Sequence, residues 1–350
     1  MKRLMTTNWN EFLHSCGARR ADGYTTDFGD LQGELAAAKQ GLVLADLSHW
    51  GLIGFSGEDA QTFLHGQVTN DLRTLKPERA AFAGYCSAKG RMLANFLVFR
   101  RGDELLVMLP EALRETIQKR LAMFILRAKV KARDAGGEWV RIGLSGPGAE
   151  ALLTATLGIM PASDIMAVAH ADNAFAVRLG SDRFDIFVAP ADASEVWEQL
   201  AASARPVGAG AWDWLMVDSG IPTVMPETQD QFVPQMANMA DLHAISFNKG
   251  CYPGQEVVAR TQYLGKQKRR LYLAHVETDA KVGDPVFSPE FGTQTAGLVA
   301  NAAPAPGGGF DLLAVMQISS FEGGDVRLAT PDGPQLVFRP LPYPVAEAAA

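Results

Sequence analysis

The sequence predicts an α+β protein: two units in which helices alternate with hairpins, then a C-terminal β-module. Three observations carry this. Up to about residue 205, short apolar strand-like runs alternate with stretches at helical spacing. From Lys268 onward the strand-like runs are separated only by Gly, Pro and Asp, with no helical pattern. At 350 residues, 47% hydrophobic and 20% charged, the chain has the length for two or three domains and the makeup to fill their cores.

Taken in order, 42–46 and 52–55 read as strands. Ser56-Gly57-Glu58-Asp59 resembles a capping box ahead of a helix carrying Ala60, Phe63 and Leu64 and stopping near Gly66. Residues 80–87 and 92–100 are strand runs around Ala88-Lys89-Gly90-Arg91, a hairpin with a basic tip. After the strand 105–109, Pro110 opens a helix with Leu113, Ile117, Leu121 and Phe124 at helical spacing. Strands are expected at 128–134 and 139–144. Gly146-Pro147-Gly148 then leads a helix through Leu153, the strands 175–179 and 183–188 pair, and a helix covers 190–204. The β-module is expected at 271–276, 285–288, 296–300, 312–318, 325–328 and 336–339. Neither GxGxxG nor a P-loop occurs, so no nucleotide fingerprint is present.

Composition excludes several classes. A net charge of −7 argues against a general binder of nucleic acid or membrane surfaces. The longest apolar runs fall short of the ~20 residues of a membrane span. The N-terminus has no apolar segment after Lys2 and Arg3, so no signal peptide is expected. Cys16, Cys86 and Cys251 form no CxxC and no disulfide framework, so a reducing, cytoplasmic setting is the simplest expectation. The histidines show no metal-ligand spacing, and one thiol cannot hold an iron–sulfur cluster alone.

The most informative stretch is Lys249-Gly250-Cys251-Tyr252-Pro253-Gly254-Gln255-Glu256. A helix can open at Gly254. A thiol just ahead of it feels the positive end of the helix dipole, and the Lys249 ammonium would add to that field. The plainer alternative is a buried cysteine in a glycine-containing turn. Lys266-Gln267-Lys268-Arg269-Arg270, with Arg260 upstream, is either a solvated charged face or a positive spot for an acidic group.

The octapeptide resembles the signature of the YgfZ-type folate-binding proteins, relatives of the glycine-cleavage aminomethyltransferase (T-protein) linked to iron–sulfur proteins. Three further segments resemble the same family: Phe63-Leu64-His65-Gly66-Gln67-Val68-Thr69-Asn70-Asp71-Leu72, Tyr85-Cys86-Ser87-Ala88-Lys89-Gly90-Arg91, and Phe232-Val233-Pro234-Gln235-Met236. The resemblance implies a three-lobed cloverleaf, two α+β domains plus a C-terminal β-barrel, around a central folate channel. Its expected division is 1–140 with 206–265 as the folate-binding core, 141–205 as a second α+β unit and 266–345 as the barrel. The implied cofactor is tetrahydrofolate or a derivative, and the implied partners are iron–sulfur client or assembly proteins.

The resemblance also assigns residues. Asn70, Asp71 and Tyr85 would lie at the pterin end, with Gln255, Glu256 and Arg260 in the folate-binding set and Cys251 with Lys249 in the chemistry. Asp218 is the nearest counterpart of the T-protein glutamate that holds the pterin edge; the alternative is a solvated acid at a helix end. T-proteins carry an Asp-Asp pair where this chain has Ala94-Asn95. Neither can ionise, so the acid that assists methylene transfer is missing and aminomethyltransferase activity is not expected. Asn95 either hydrogen-bonds in the pterin pocket or faces solvent from its strand. Three functions stay open: an accessory protein for iron–sulfur enzymes, a folate-dependent one-carbon transferase or demethylase, and a non-catalytic folate or partner-binding module.

Overall fold

The computed structural model describes residues 2–263 and 267–346. The described chain forms two compact units, each built from three chain segments. The first comprises residues 1–60, 74–81 and 97–212; the second comprises 61–73, 82–96 and 213–350.

In the first unit, a six-stranded sheet runs in the order Val168–His170, Ala174–Gly180, Arg183–Val188, Val140–Ser145, Val43–Asp46, Arg205–Val207. All pairings are antiparallel except the last, which is parallel. One face packs Leu44, Ile142, Leu144, Phe184 and Ile186 with Trp9, Leu13, Leu153, Trp197 and Leu200 of the helices Lys2–Ser15, Ala149–Leu157 and Ala193–Ala201. A second sheet in this unit is built on Trp50–Ser56, paired antiparallel with Glu104–Pro110 and Lys131–Asp134. The helix Glu111–Ala122 buries Leu113, Ile117 and Leu121, as the spacing predicts. Phe124 falls beyond the helix end and is exposed.

Two expectations change here. Glu58 and Asp59 do not close a capping box. Glu58 pairs with Lys129 Nζ at 2.7 Å and Asp59 accepts from the Lys129 amide at 2.8 Å, so both acids anchor a neighbouring segment. The helices Lys2–Ser15 and Leu31–Gln40 were not expected from the sequence. Leu31–Gln40 opens on Asp30, whose carboxylate accepts from the Gly33 amide at 3.0 Å.

The strand Ala81–Cys86 lies beside Met92–Arg101. The C-terminal module is a six-stranded antiparallel sheet, ordered Arg327–Leu328, Pro285–Phe287, Gly297–Pro304, Phe310–Gln317, Arg269–Val276, Val337–Arg339. Its core holds Val276, Val286, Val299, Leu312, Met316 and Leu336. A short helix, Ile318–Gly323, interrupts what the sequence reads as strands alone. The helix after Gly254 is present as Gln255–Tyr263.

Candidate functional site

The cysteine motif and the 87–91 hairpin tip are pressed together by two glycines. Gly254 has φ +79°, and a Cβ there would lie 2.4 Å from the Ser87 carbonyl oxygen and 2.6 Å from Gly90 Cα. Gly90 has φ +72°, and a Cβ there would meet Val257 Cβ at 2.8 Å. Gly250 is different: its φ is ordinary and a Cβ there would meet open space. The chain therefore turns at Gly254 against the hairpin and leaves Cys251 exposed on the near side of the helix Gln255–Tyr263. The buried-turn alternative for this thiol does not hold.

Lys249 is placed otherwise than its sequence position suggests. Its ammonium donates to the carbonyls of His65 and Val68 and lies 4.8 Å from the Tyr252 ring centre. Burial draws its pKa down to about 8, against the opposing pull of Asp71. Lys249 thus ties the cysteine motif to the 65–68 segment. Gln255 reinforces the turn, its Nε2 3.5 Å from the Lys249 carbonyl oxygen. Glu256 and Arg260 are exposed in the first and last turns of the helix, each of the sign its end of the dipole favours. Of the basic run, Arg269 and Arg270 open the first strand of the C-terminal sheet, while Lys266 lies outside the described residues.

Asn70 and its neighbour Thr69 are staples. Asn70 Nδ2 donates to the carbonyls of Phe82 (2.7 Å) and His243 (2.9 Å). Thr69 donates to Ala244 O at 2.6 Å and accepts from Gly84 N at 2.7 Å. Asp71 is engaged by Arg73 through two side-chain bonds, of 3.1 and 2.6 Å, and lies 3.2 Å from His65 Nδ1. The Arg73 contact, first among its causes, holds the Asp71 carboxyl down to about 2. Tyr85 is buried, its ring stacked 6.1 Å from that of Phe96.

Asn95 is buried and clamps the backbone of 222–224: Nδ2 donates to Pro222 O at 2.8 Å and Oδ1 accepts from Val224 N at 2.7 Å. Asn301 grips the same segment, accepting from Thr223 N at 2.8 Å and donating to Thr223 O at 3.0 Å. The solvent-facing alternative for Asn95 does not hold. Ala94 beside it is fully buried. Asp218 ends the helix Ala209–Asp218 and pairs with Arg339 at 2.5 Å. Arg339 also binds Asp311, which takes the Trp214 indole N–H (2.8 Å) and His275 Nδ1 (2.8 Å). Arg339, Asp311 and Asn301 carry no local sequence signal, because each makes its contact far along the chain.

A folate site needs acceptors for the donor edge of the pterin. Asp218 Oδ1 is taken by Arg339, but a carboxylate has further lone pairs. Gln67 Oε1 and Gln235 Oε1 are buried acceptors that no described residue donates to. In kind, these groups fit a pterin. Among the described residues no cluster of three or more His, Cys, Asp or Glu could hold a metal, and no helix is long and apolar enough to cross a membrane.

This arrangement, an α+β body with a C-terminal antiparallel sheet, is the fold of the aminomethyltransferases. The aminomethyltransferase T of the glycine cleavage system from Bartonella henselae superposes with a TM-score of 0.79 at 19% identity, over 95% of this chain and 96% of that one. Residues 4–249 match the family described as the GCVT N-terminal domain. A protein from Edwardsiella ictaluri called tRNA-modifying protein YgfZ is 31% identical over 324 residues, 89% of this chain and 96% of its own. Its namesake from Yersinia enterocolitica is 32% identical over 239 residues, 68% and 72% of the two chains. The chain belongs to the YgfZ family of GCVT-domain proteins.

Proposed function

We propose that the chain is a tetrahydrofolate-binding accessory protein that supports assembly or repair of iron–sulfur enzymes, with Cys251 as its working group. The observation that carries this reading is the exposed thiol of Cys251, set at the start of a helix by two glycine contacts. A merely structural cysteine in this turn has no reason to face solvent. Asp218, Gln67 and Gln235 supply acceptor groups of the kind a pterin edge requires, and Arg260 and Lys268 are exposed cations suited to an acidic folate tail. Bound tetrahydrofolate supplies a reduced pterin that can carry a one-carbon unit. The cluster is cargo or substrate, met together with a client protein. The division into a folate-holding core (1–140 with 206–265), a second unit (141–205) and a barrel (266–345) is part of this proposal, as is a cytoplasmic setting.

The one-carbon transferase reading is weaker, because Ala94 is apolar and Asn95 is spent on backbone hydrogen bonds. The relatives' name, tRNA-modifying protein, fits the proposal when the client is an enzyme that acts on tRNA. A chain of net charge −7 is poorly suited to grip tRNA broadly by itself. The test is recovery of an oxidatively damaged [4Fe–4S] enzyme supplied with iron, sulfide and reductant. The expected result is faster recovery with the wild-type chain and tetrahydrofolate, and no acceleration with Cys251→Ala. Equal acceleration by the variant would overturn the role of the thiol.

A further inference from the structure

The first unit contains a pocket of about 220 Å³ whose lining includes Trp9, Asn10, Glu111, Asp134, Trp139 and Arg141. None of the folate candidates lines it. Trp9 and Asn10 come from the helix Lys2–Ser15, Asp134 ends the strand Lys131–Asp134, Glu111 opens the helix Glu111–Ala122, and Arg141 sits in Val140–Ser145.

Arg141 is only 7% exposed, yet it is poorly partnered. Its hydrogen bonds run to the carbonyls of Leu47 and Gly136, each at 3.4 Å, the long limit for such bonds. No described carboxylate approaches its guanidinium to within the 4.0 Å of an ion pair. A guanidinium has five N–H donors, and burying one with so few good acceptors is costly unless an anion is there to meet it. Its pKa is lowered by burial, and the charges of Glu111 and Asp46 only partly oppose this.

The neighbouring acid Asp46 is not that anion's rival, because it is already saturated. It accepts from Trp9 Nε1 at 3.1 Å, Thr25 Oγ1 at 2.9 Å and Ser48 Oγ at 2.6 Å. The opposite need appears elsewhere on the lining. Asn10 Oδ1 is buried and accepts no hydrogen bond from any described residue. Glu111, exposed at the start of its helix, pairs with Arg114 at 2.8 Å, and a carboxylate so held keeps lone pairs for a further donor.

The pocket therefore has two poles: a donor-rich buried cation and a set of acceptors with net negative character. A simple anion would be repelled by Glu111 and Asp134, and a simple cation by Arg141. The geometry points to a binding site for a small zwitterion of the α-amino-acid type, its carboxylate on Arg141 and its ammonium towards Asn10 and Glu111. Trp9 and Trp139 supply the apolar wall for the rest of the molecule.

The test uses the full chain and three probes, L-alanine, L-leucine and L-glutamine, each beside its analogue lacking the amine and its analogue lacking the carboxylate. Binding is read from the indole N–H resonances of Trp9 and Trp139. The expected result is a saturable shift with at least one amino acid and binding about tenfold or more weaker for both of its analogues. Arg141→Lys and Asn10→Leu should each weaken the amino acid about tenfold. Glu111→Gln should weaken the amino acid while leaving the amine-free analogue unaffected or tighter. Should Arg141→Lys fail to fold, the Asn10 and Glu111 variants, on partly or wholly exposed positions, decide the matter. No saturable shift with any probe, equal binding of amino acid and analogues, or unchanged binding in Asn10→Leu and Glu111→Gln would each overturn the assignment.

Discussion

Gly254 and Gly90 meet backbone to backbone: a Cβ on Gly254 would lie 2.6 Å from both Cα and N of Gly90, and one on Gly90 3.1 Å from the Gly254 carbonyl oxygen. This contact joins the cysteine motif to the hairpin and fixes where the helix after Cys251 begins. Both residues also hold positive φ, so a side chain is disfavoured twice. Gly254→Ala should therefore destabilise by about 1–3 kcal/mol. Gly250→Ala, four residues away, should stay within about 0.5 kcal/mol of wild type. Urea unfolding of both variants checks the contrast. Equal stability of the two would show that the contact is not a constraint.

Asn95→Asp should not create aminomethyl transfer to tetrahydrofolate, and it should cost stability. The amide donates to Pro222 O, and a carboxylate would set two oxygens against each other there. The expected loss at neutral pH is about 1–3 kcal/mol. Burial raises the pKa of the new acid, so the folded form binds its proton more tightly than the unfolded form. The deficit should shrink as pH falls and the acid becomes a donor. Unfolding at neutral and mildly acidic pH measures it, alongside an aminomethyl-transfer assay with a lipoyl carrier.

Lys249 should make stability rise with pH above neutrality. Its folded pKa is about 8 against 10.5 for the free side chain, so between those values the unfolded state binds more protons. Stability held back by the buried charge below pH 8 is recovered as pH rises towards 10.5. Lys249→Met should lose this slope, whatever its own stability. Parallel slopes in variant and wild type would show that the ammonium is not buried as described.

Much of this was legible from sequence, and what was not has a common cause. Hairpin, strand and helix positions follow from local periodicity, so 92–101, 111–122 and 183–188 were read nearly as they stand. The cysteine motif was legible as a motif. Lys249 stands two residues from Cys251, but its acceptors His65 and Val68 lie 184 and 181 positions away, which no local pattern shows. Asp218 is likewise defined by Arg339, 121 positions on. Asn95 lies in a strand whose alternation suggests two faces, but only the backbone of 222–224 shows which partner it takes. In the helix Lys2–Ser15, Trp9 and Leu13 are the buried apolar anchors among the described side chains, a pattern too sparse to mark a helix from sequence.

The three thiols should react in a fixed order. Cys251 is exposed and should be alkylated first. Cys16 is also exposed, but partial burial raises its pKa and should slow it. Cys86 is buried, its pKa pushed up to about 12, and should react only on unfolding. Brief alkylation across a pH series followed by peptide mapping gives the order. Labelling of Cys251 last would remove the physical basis of its proposed role.

The most direct measurement is calorimetric titration of the wild-type chain and of Cys251→Ala with tetrahydrofolate. Saturable binding to both is expected at micromolar affinity, roughly −8 kcal/mol, because the groups assigned to the pterin are separate from the thiol. Absence of saturable heat from the wild type, confirmed by absence of a thermal shift at saturating ligand, would contradict it.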